Sequence, residues 1–355
     1  MHFQPAMETT PTSTPDPLST PARPLRVGLV YETFETYPAE SGAPSDAHAE
    51  YEPWATIEVL EAALREREHQ VVRLGSPHAL LASLTGDEKP AVDAVLNIAE
   101  GFGSRNREAW APVLLEMMGI PCLGSDALTL SLSLDKAWAN ERVEAAGIPV
   151  APRCLLASAE EAERAPLPDA FPLFVKPRWE GSAKGIRLSS RVEGRAALVE
   201  EVRRVVSDYA QPALVERFLP GAEYTVMVTG HAPCRVWPVL QRALEAESRI
   251  GLHALDHEAS RDWDHIAPGD LSRELEATLQ GWAKRVFDVF ECRDFARVDF
   301  RLDADGKPTF LEINPLPTFA PDGTFGILAE LEGRSVASLL AEVLDQALAR
   351  VCGAA

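Results

Sequence analysis

The sequence is poor in basic residues. Its 355 residues include 34 lysines and arginines against 54 aspartates and glutamates, which gives a formal net charge of −20 at pH 7. Proteins that bind nucleic acids present a basic patch, and segments that bind anionic lipid carry clustered lysine and arginine. The charge balance therefore argues against nucleic acid and membrane surfaces as partners, and we attribute the acidity to solubility.

Cysteine and long apolar runs are also scarce. The five cysteines are scattered, and no two have the spacing of a metal or redox site. This usage excludes a disulfide framework and predicts a reducing, cytoplasmic location. No apolar run reaches the roughly 18 residues of a membrane span, and the N-terminus has no apolar signal core. Residues 1–23 are instead rich in threonine, serine and proline, which predicts a disordered tail.

Two phosphate-binding motifs are missing. The sequence has no G-x-x-x-x-G-K-[ST] segment, and its first apolar stretch, RVGLVYETFE, lacks G-x-G-x-x-G. The first absence excludes a P-loop, and the second argues against a dinucleotide-dependent oxidoreductase.

The residues that are present predict two or three domains, at about one domain per 100–200 residues. Apolar strands alternate with amphipathic helices through the first part of the chain, the pattern of a doubly wound α/β domain. Downstream, the strands read as mostly antiparallel, including a pair around the Pro-Gly turn of residues 212–230. We predict an α/β N-terminal domain at 24–125, and α+β central and C-terminal domains at 126–211 and 212–355.

One predicted hairpin carries opposed charges. In RVDFRLDADGKPTFLEIN, the Asp305-Gly306 dipeptide is typical of a two-residue type I′ turn between two strands. That turn pairs Ala304 with Lys307, Asp299 with Glu312, and Arg297 with Asn314. Two carboxylates directly opposite each other repel, so the arrangement needs an explanation.

A bound cation explains the opposed carboxylates. Asp299, Glu312 and Asn314 offer hard oxygen ligands on one sheet face, which suits Mg²⁺ completed by substrate phosphates. Arg297 beside them would contact a transferring phosphoryl group or a developing oxyanion. The alternative is a surface hairpin whose charges point into water, with Arg297 neutralising them.

Two further stretches carry polar groups at strand ends. FPLFVKPRWEGSAKGI places Lys176 on a strand and follows it with a loop of small residues, whose N–H groups can approach phosphate oxygens. ALVERFLPGAEYTV ends one strand at Glu216 and begins the next at Glu223, which suits an adenine amino group and ribose hydroxyls. The alternatives are an ordinary glycine-containing loop and a hairpin with exposed glutamates.

These stretches, taken in order, resemble the ATP-grasp superfamily, and within it D-alanine–D-alanine ligases and related carboxylate–amine ligases. The resemblance runs from about residue 25 to 350 and is strongest in GIPCLGSDALTLSLSLDKAWANERVEAAGIPVAP, LFVKPRWEGSAKGI, LVERFLPGAEYTV, ARVDFRLDADG and LEINPLP. It implies an N-terminal α/β domain followed by central and C-terminal ATP-grasp domains that sandwich ATP. It also implies small amino acid or peptide substrates, and a homodimer is common in the family.

The resemblance assigns a role to each candidate. By this resemblance, Lys136 and Lys176 would bind the ATP phosphates, and Gly181 and Ser182 would lie in the glycine-rich loop that closes over them. Glu216 and the backbone of Phe218 and Leu219 would bind the adenine, and Glu223 would bind the ribose. Asp299, Glu312 and Asn314 would bind two Mg²⁺ ions, for which Mn²⁺ can substitute. Arg297 would stabilise the transition states. A substrate carboxylate would attack ATP to give an acyl phosphate, and an amine would then form the amide.

The substrate half departs from the family pattern. Ala183 replaces the second serine of the glycine-rich loop, and HEASRDWDH, in a predicted mobile loop at 245–270, offers Ser260 and Arg261 where the family has Lys-Tyr. The stretch NPLPTFAPDGTF offers Thr318 and Gly323-Thr324 in place of the family's glycine and Ser-Leu. These departures leave two alternatives for the substrates: D-alanine, as in the family, or another amino acid or peptide.

The glutamate that holds the first substrate's ammonium group in the family has two candidates here, Glu50 and Glu52. A loop with Glu100, Arg105 and Asn106 follows a strand, at the sheet edge where α/β proteins bind ligands. Its alternative role is to cap a helix from about residue 107. A non-catalytic nucleotide-binding protein is the competing function, and the retention of Arg297 with the full acidic set argues against it.

Overall fold

The computed structural model describes residues 23–38, 43–87, 89–242, 265–266 and 271–352. These residues form three β-sheets with helices packed against them. Apart from Arg23, the predicted disordered tail lies outside the described residues. So does the predicted mobile loop at 245–270, with Ser260 and Arg261, apart from residues 265–266.

The N-terminal sheet is parallel and has helices on both faces. Its elements are β1 (Arg26–Val30), α1 (Trp54–Glu66), β2 (Gln70–Gly75), α2 (Pro77–Thr85), β3 (Ala94–Asn97), α3 (Trp110–Met117) and β4 (Cys122–Leu123). The strands lie in the order β2-β1-β3-β4. Leu29 and Leu96 pack with α1 on one face, and Val30 and Val95 pack with α2 and α3 on the other. The predicted doubly wound α/β domain is confirmed.

Two helices, α4 (Ala127–Leu134) and α5 (Lys136–Ala145), lead from this sheet to the next. The sequence of residues 126–147 predicts one or two helices, and Asp135 is the reason that there are two. It ends α4, and its carboxylate accepts hydrogen bonds from the N–H groups of Ala137 and Trp138 in the first turn of α5, at 3.2 and 3.3 Å. A carboxylate at this position stabilises a helix start, because the first N–H groups have no partner within the helix.

The central sheet is antiparallel. Its elements are β5 (Arg153–Leu156), α6 (Ala159–Arg164), β6 (Leu173–Pro177), β7 (Arg191–Val192), α7 (Arg195–Tyr209) and β8 (Ala213–Arg217), with the strands in the order β5-β8-β6-β7. α7 buries Leu198, Val202 and Val205 against it, at helical spacing. This sheet continues past residue 211, and the division into domains at that residue stays a prediction.

The C-terminal sheet is also antiparallel. Its elements are β9 (Glu223–Gly230), β10 (Cys234–Val236), β11 (Leu240–Arg242), β12 (His265–Ile266), α8 (Arg273–Val289), β13 (Phe295–Leu302) and β14 (Pro308–Asn314). The order is β12-β11-β9-β13-β14, with β10 beside β9. α8 packs on this sheet through Leu279, Val286 and Phe287.

The two strands predicted at 212–230 are present, but they do not pair with each other, so the hairpin alternative is wrong. β8 pairs with β5 and β6, whereas β9 pairs with β13, β10 and β11, so the chain crosses from one sheet to another between them. The reason is the Pro-Gly linker, in which the Gly221 N–H donates to the Leu302 carbonyl oxygen at 3.0 Å. A Cβ at Gly221 would lie 2.5 Å from the Leu302 Cβ, so this docking needs glycine.

The turn between β13 and β14 also differs from the prediction. The Asp303 N–H bonds to the Lys307 carbonyl oxygen at 2.9 Å, which leaves a three-residue loop, and φ is positive at Gly306 but not at Asp305. Ala304 therefore does not face Lys307. A bulge beyond Asp299 shifts the register back by one residue, because Phe300 pairs with Phe310. The predicted pairs of Asp299 with Glu312 and Arg297 with Asn314 are confirmed.

Two helices close the described chain, α9 (Thr324–Leu331) and α10 (Val336–Cys352). α10 packs beside α1 on the N-terminal sheet, so the end of the chain completes the core of its first domain. Within the described ranges, no helix combines the length and the apolar character that crossing a membrane requires.

Candidate active site

The acidic pair of the C-terminal sheet is bridged by an arginine. Asp299 is 1% exposed, and its Oδ1 accepts a 2.8 Å hydrogen bond from the Thr225 hydroxyl. Arg297 Nη2 lies 2.9 Å from Asp299 Oδ2 and 3.5 Å from Glu312 Oε1. The alternative of a hairpin whose charges point into water is therefore wrong, although Arg297 does neutralise the pair.

Arg297 is held in its charged form. Burial disfavours the charge, but the carboxylates of Asp299 and Glu312 outweigh burial and raise the pKa of Arg297. A cation fixed in a largely buried site stabilises negative charge on a reacting group, because it needs no reorganisation when that charge develops.

The donor set suits a hard divalent cation. Asp299 and Glu312 face each other across the strands, and Asn314 follows Glu312 on the same face, with its Oδ1 accepting from the Leu316 N–H at 3.1 Å. Among the residues that the structure describes, no three histidine, cysteine, aspartate or glutamate side chains form a metal-binding group. A cation here would therefore complete its shell with amide, phosphate or water oxygens, as Mg²⁺ does.

The central sheet pairs two of the predicted residues. Lys176 on β6 and Glu216 on β8 lie 2.6 Å apart, with side chains 5% and 8% exposed. The alternative of an exposed Glu216 is wrong. The Phe218 N–H donates to the Pro172 carbonyl oxygen at 3.3 Å, and Leu219 is 5% exposed.

Glu223 is buried as well, and its partner is a residue that the sequence did not single out. Arg301 lies directly opposite on β13, with Nη1 2.8 Å from Glu223 Oε2. Arg301 follows Arg297 and Asp299 at intervals of two, so the alternation of one strand face was the signal that could have found it.

The predicted glycine-rich loop is a tight turn. The Lys184 N–H donates to the Gly181 carbonyl oxygen at 2.8 Å, and the central residues Ser182 and Ala183 have φ of 46° and 57°. Positive φ at both central positions is the type I′ geometry. For residues with a Cβ it costs roughly 1–2 kcal/mol each, so other contacts must hold the turn.

The N-terminal domain supplies those contacts. Glu50 accepts from the Gly181 N–H at 2.5 Å, and Asp46 accepts from the Gly185 N–H at 2.8 Å. Glu50 also pairs with Arg107 at 2.5 Å and with Lys184 at 2.8 Å. The candidate ammonium ligand Glu50 is therefore committed to internal partners. Sequence reasoning missed Arg107 and Lys184, because the partner that they share, Glu50, comes from a distant segment.

Lys136 links the glycine-rich loop to the acidic pair. It begins α5, and its Nζ donates to the Glu180 carbonyl oxygen at 2.5 Å and lies 3.6 Å from Glu312 Oε2. One cleft at this point is lined by Lys136, Gly181, Ser182, Glu312 and Asn314. The structure thus brings together predicted residues from three separate parts of the chain.

Two more carboxyl groups, Glu100 and Glu108, line the same cleft. Burial raises the pKa of both, to about 7 for Glu108, and each carboxyl group acts on the pKa of the other. Arg105 lies over the Trp138 ring at 4.5 Å and 3.5 Å from Asp135. Asn106 makes no capping hydrogen bond through its side chain, so the capping alternative is wrong for this residue.

The second candidate for the ammonium ligand, Glu52, lies against the loop after β14. Its Oε2 accepts from the hydroxyls of Thr56 at 2.7 Å and Thr318 at 3.0 Å. Burial raises its pKa. Gly323 and Thr324 begin α9. Glu52 and Thr318, both proposed for substrate binding, are thus neighbours, about which the sequence said nothing.

Comparison with known proteins identifies relatives of this arrangement. The family model described as the D-ala D-ala ligase C-terminus matches residues 143–345. An uncharacterized protein, y4sG, of Sinorhizobium fredii is 30% identical over 85% of this chain and 91% of its own length. A D-alanine–D-alanine ligase of Pelotomaculum thermopropionicum is 30% identical over 68% of this chain and 76% of its own.

Solved structures share the fold. The D-alanine–D-alanine ligase of Bacillus anthracis complexed with ATP superposes with a TM-score of 0.68 at 18% identity, covering 93% of this chain and all of that one. The VanG D-Ala:D-Ser ligase of Enterococcus faecalis gives 0.67 at 18% identity, over 92% of this chain. Since the family model matches more than half of the sequence, the chain belongs to the D-alanine–D-alanine ligase family and has the ATP-grasp fold that the sequence predicted.

Proposed function

We propose that this family member is an ATP-dependent ligase that joins the carboxylate of one amino acid or peptide to the amine of another. The observation that carries the proposal is the position of Arg297 across Asp299 and Glu312, with Lys136 3.6 Å from Glu312. This concentration of fixed positive charge beside two carboxylates suits phosphoryl transfer, in which catalysis is mostly positioning and charge stabilisation.

The predicted nucleotide-binding residues retain their proposed roles. ATP phosphates would be held by Lys136 and Lys176 under the loop of Gly181 and Ser182, and the nucleoside by Glu216, Phe218, Leu219 and Glu223. Two of these are paired internally, Lys176 with Glu216 at 2.6 Å. We expect ATP to replace that ion pair, its phosphates taking the ammonium group and its adenine amino group taking the carboxylate.

Asp299, Glu312 and Asn314 would hold Mg²⁺, which would supply positive charge between the phosphates of ATP. Their oxygen donors fit that ion, as argued from the donor set above. Arg297 would be the catalytic residue, because its guanidinium can stabilise the transferring phosphoryl group and the later tetrahedral centre.

The reaction would have two steps. A substrate carboxylate oxygen attacks the γ-phosphorus, the bond to the β,γ-bridging oxygen breaks, and ADP leaves with that electron pair. The lone pair of an amine then attacks the acyl carbon of the resulting acyl phosphate. Phosphate leaves with the carbon–oxygen electron pair and one amine proton, and an amide remains. The closed glycine-rich loop would keep water from the acyl phosphate.

The substrates would differ from two D-alanines. The Glu50 carboxylate is already neutralised by Arg107 and Lys184, at 2.5 and 2.8 Å, so it would not serve a substrate ammonium group. The curated ligase relative is named for D-alanine and one structural neighbour for D-Ala:D-Ser, which together support a small amino acid as one substrate. A cytoplasmic location and a homodimer stay predictions.

The test is ATP-dependent phosphate release with Mg²⁺ and a panel of D- and L-amino acids and dipeptides. We expect turnover with at least one pair that includes a partner other than D-alanine. Turnover with D-alanine alone would contradict the substrate proposal. No turnover with any pair, together with ATP binding, would favour the non-catalytic alternative.

Arg297→Ala separates catalysis from binding. We expect it to lower kcat by about 10²–10³-fold, the usual cost of one fixed transition-state contact, with ATP affinity nearly unchanged. Arg235→Ala is the control, since this arginine lies on β10 and pairs with Glu332 at the surface. Unchanged turnover in Arg297→Ala would refute the catalytic role of this residue.

A further inference from the structure

A buried ion network joins the N-terminal domain to the glycine-rich loop. Arg107 is 2% exposed, and its Nη2 lies 2.5 Å from Glu50 Oε1. On the loop side, Lys184 Nζ lies 2.8 Å from Glu50 Oε2 and 2.6 Å from Glu180 Oε2. Arg107 reaches Glu180 as well, at 3.5 Å. Two cations and two carboxylates therefore close a neutral cluster between parts of the chain that are more than 60 residues apart.

The electrostatics commit Glu50 to this cluster. Burial alone would raise the pKa of Glu50, but the charges of Arg107 and Lys184 and the Gly181 N–H lower it to about 2. A buried charge that loses its partner is costly, because the solvent cannot replace that partner. The cluster exists only while the loop lies against the N-terminal domain, so removing one of its members weakens that contact.

Arg107 contacts both sides with one rigid group. Nη1 donates to the Trp179 carbonyl oxygen at 2.7 Å, two residues before the loop, while Nη2 bonds to Glu50. A planar guanidinium can hold two acceptors at a fixed separation, which the single ammonium of lysine cannot do.

The contact reaches the loop backbone itself. Glu50 Oε1 approaches Gly181 so closely that a Cβ there would lie 2.8 Å from it. Asp46, four residues earlier, holds the Gly185 N–H at 2.8 Å and the Tyr209 hydroxyl at 2.7 Å. The two ends of the strained Ser182-Ala183 turn are thus both fastened to carboxylates of residues 46–50.

We propose that Arg107 is a positioning residue, which acts through Glu50 to hold the glycine-rich loop closed on the N-terminal domain. The closed loop covers the site proposed for the ATP phosphates, and its contacts with the N-terminal domain determine whether it is closed. The consequence for ATP rests on the proposed function, whereas the closure of the loop does not.

Hydrogen exchange of the full chain without nucleotide tests the closure. In Arg107→Met, we expect peptides covering residues 179–186 to exchange roughly tenfold faster or more, since the Gly181 N–H loses a fixed acceptor. Peptides covering β6, residues 173–177, should be unchanged. Arg187→Met is the matched control, because Arg187 follows the same loop, is 42% exposed and pairs with Asp208 of the same domain. Unchanged exchange of 179–186 in Arg107→Met would overturn the proposal.

A second variant covers a general loss of structure. If β6 also exchanges faster in Arg107→Met, that variant has lost structure generally and Arg107→Lys replaces it in the test. Lysine keeps the positive charge, but its ammonium group reaches only one of the two acceptors. Arg107→Lys should accelerate 179–186 by an intermediate factor with β6 unchanged, and exchange equal to that of the unmodified protein would overturn the proposal. With turnover established, KM for ATP should rise about tenfold in Arg107→Met and fall back partly in Arg107→Lys. If the loop exchanges faster in Arg107→Met but the unmodified protein shows no turnover, the proposal for the loop stands and the proposed function is contradicted.

Discussion

At the scale of the residue, Glu100 and Glu108 are the least neutralised groups of the cleft. Among the described residues, neither has a cation within 4 Å, although both line the cleft that holds Lys136. Burial raises the pKa of Glu108 to about 7 and that of Glu100 well above its usual value. Two close carboxyl groups in a poorly solvated place share a proton, because ionising both brings like charges together. The pair is therefore partly protonated near neutral pH.

This raised pKa predicts how stability depends on pH. A carboxyl group whose pKa is higher in the folded state binds its proton more tightly there. Its contribution is fully present below the unfolded value of 4.5 and is lost as the pH rises toward about 7. Glutamine cannot ionise, so the free energy of unfolding of Glu108→Gln should fall less between pH 5 and 7 than that of the unmodified protein, by up to about 3 kcal/mol. Free energies of unfolding from urea titrations at pH 5, 6 and 7 measure it.

Glu116→Gln is the control for that experiment, since Glu116 lies on the exposed side of α3. It should leave the pH dependence as it is in the unmodified protein. If the stability of Glu108→Gln fell between pH 5 and 7 as steeply as that of the unmodified protein, folding would not raise the pKa of Glu108.

The sequence could predict a contact between two residues where both lie on the same pair of neighbouring strands. Asp299 and Glu312 oppose each other within one hairpin, so their pairing follows from counting along the sequence. Arg107 could not be found in this way. Its partners, Glu50, Trp179 and Glu180, come from two other segments, and their proximity depends on how the domains pack.

At the scale of the element, the β13–β14 hairpin shows how two errors can cancel. The loop has one residue more than a type I′ turn would have, and the bulge next to Asp299 adds one residue on β14, Leu311. The pairing of Asp299 with Glu312 is therefore the predicted one, although the turn is not. Local patterns predict which residues form a strand, whereas bulges depend on neighbours in the sheet. The crossing from β8 to β9 could not be predicted for the same reason.

Asp303 sets this turn, and its side chain gives a test. Its Oδ1 accepts from the N–H groups of Asp305 and Lys307, both at 2.9 Å. Asp303→Ala removes both hydrogen bonds, so we expect a loss of about 1 kcal/mol in the free energy of unfolding. Asp305→Ala should stay within about 0.5 kcal/mol, because that side chain is exposed. Equal losses in the two variants, measured by urea titration, would contradict the proposed part of Asp303.

At the scale of the whole molecule, the last helix completes the first domain. Leu340, Leu344 and Leu348 recur every four residues along α10 and are fully buried with the residues of β1 and α1. Each buried leucine contributes roughly 1.5–3 kcal/mol. Leucines at this spacing are typical of a helix with an apolar face, but no sequence pattern states which sheet that face covers. Nonlocal packing of this kind limits what one sequence reveals about domain arrangement.

An ion pair joins Arg350 of α10 to Asp294, at the start of β13. Arg350 Nε lies 2.6 Å from Asp294 Oδ1 and Arg350 Nη2 lies 2.5 Å from Oδ2, while Oδ2 also accepts from the Gly124 N–H at 2.7 Å. Asp294 therefore joins α10, the end of β4 and the C-terminal sheet. It is 2% exposed and has a positive φ of 64°.

Removing this carboxylate should loosen the three-way junction. Asp294→Ala leaves the Arg350 charge and the Gly124 N–H without their acceptor and puts alanine at a positive φ, so we expect a loss of about 3–5 kcal/mol in the free energy of unfolding. Asp294→Gly removes the backbone strain and separates the two causes, and it should recover only about 1 kcal/mol of that loss. Asp288→Ala is the control, since Asp288 pairs with Lys284 at the surface of α8, where such a pair contributes less than about 1 kcal/mol. If Asp294→Gly were as stable as the unmodified protein in urea titrations, backbone strain and not the carboxylate would govern this junction, and α10 would be held to the first domain by its leucines alone.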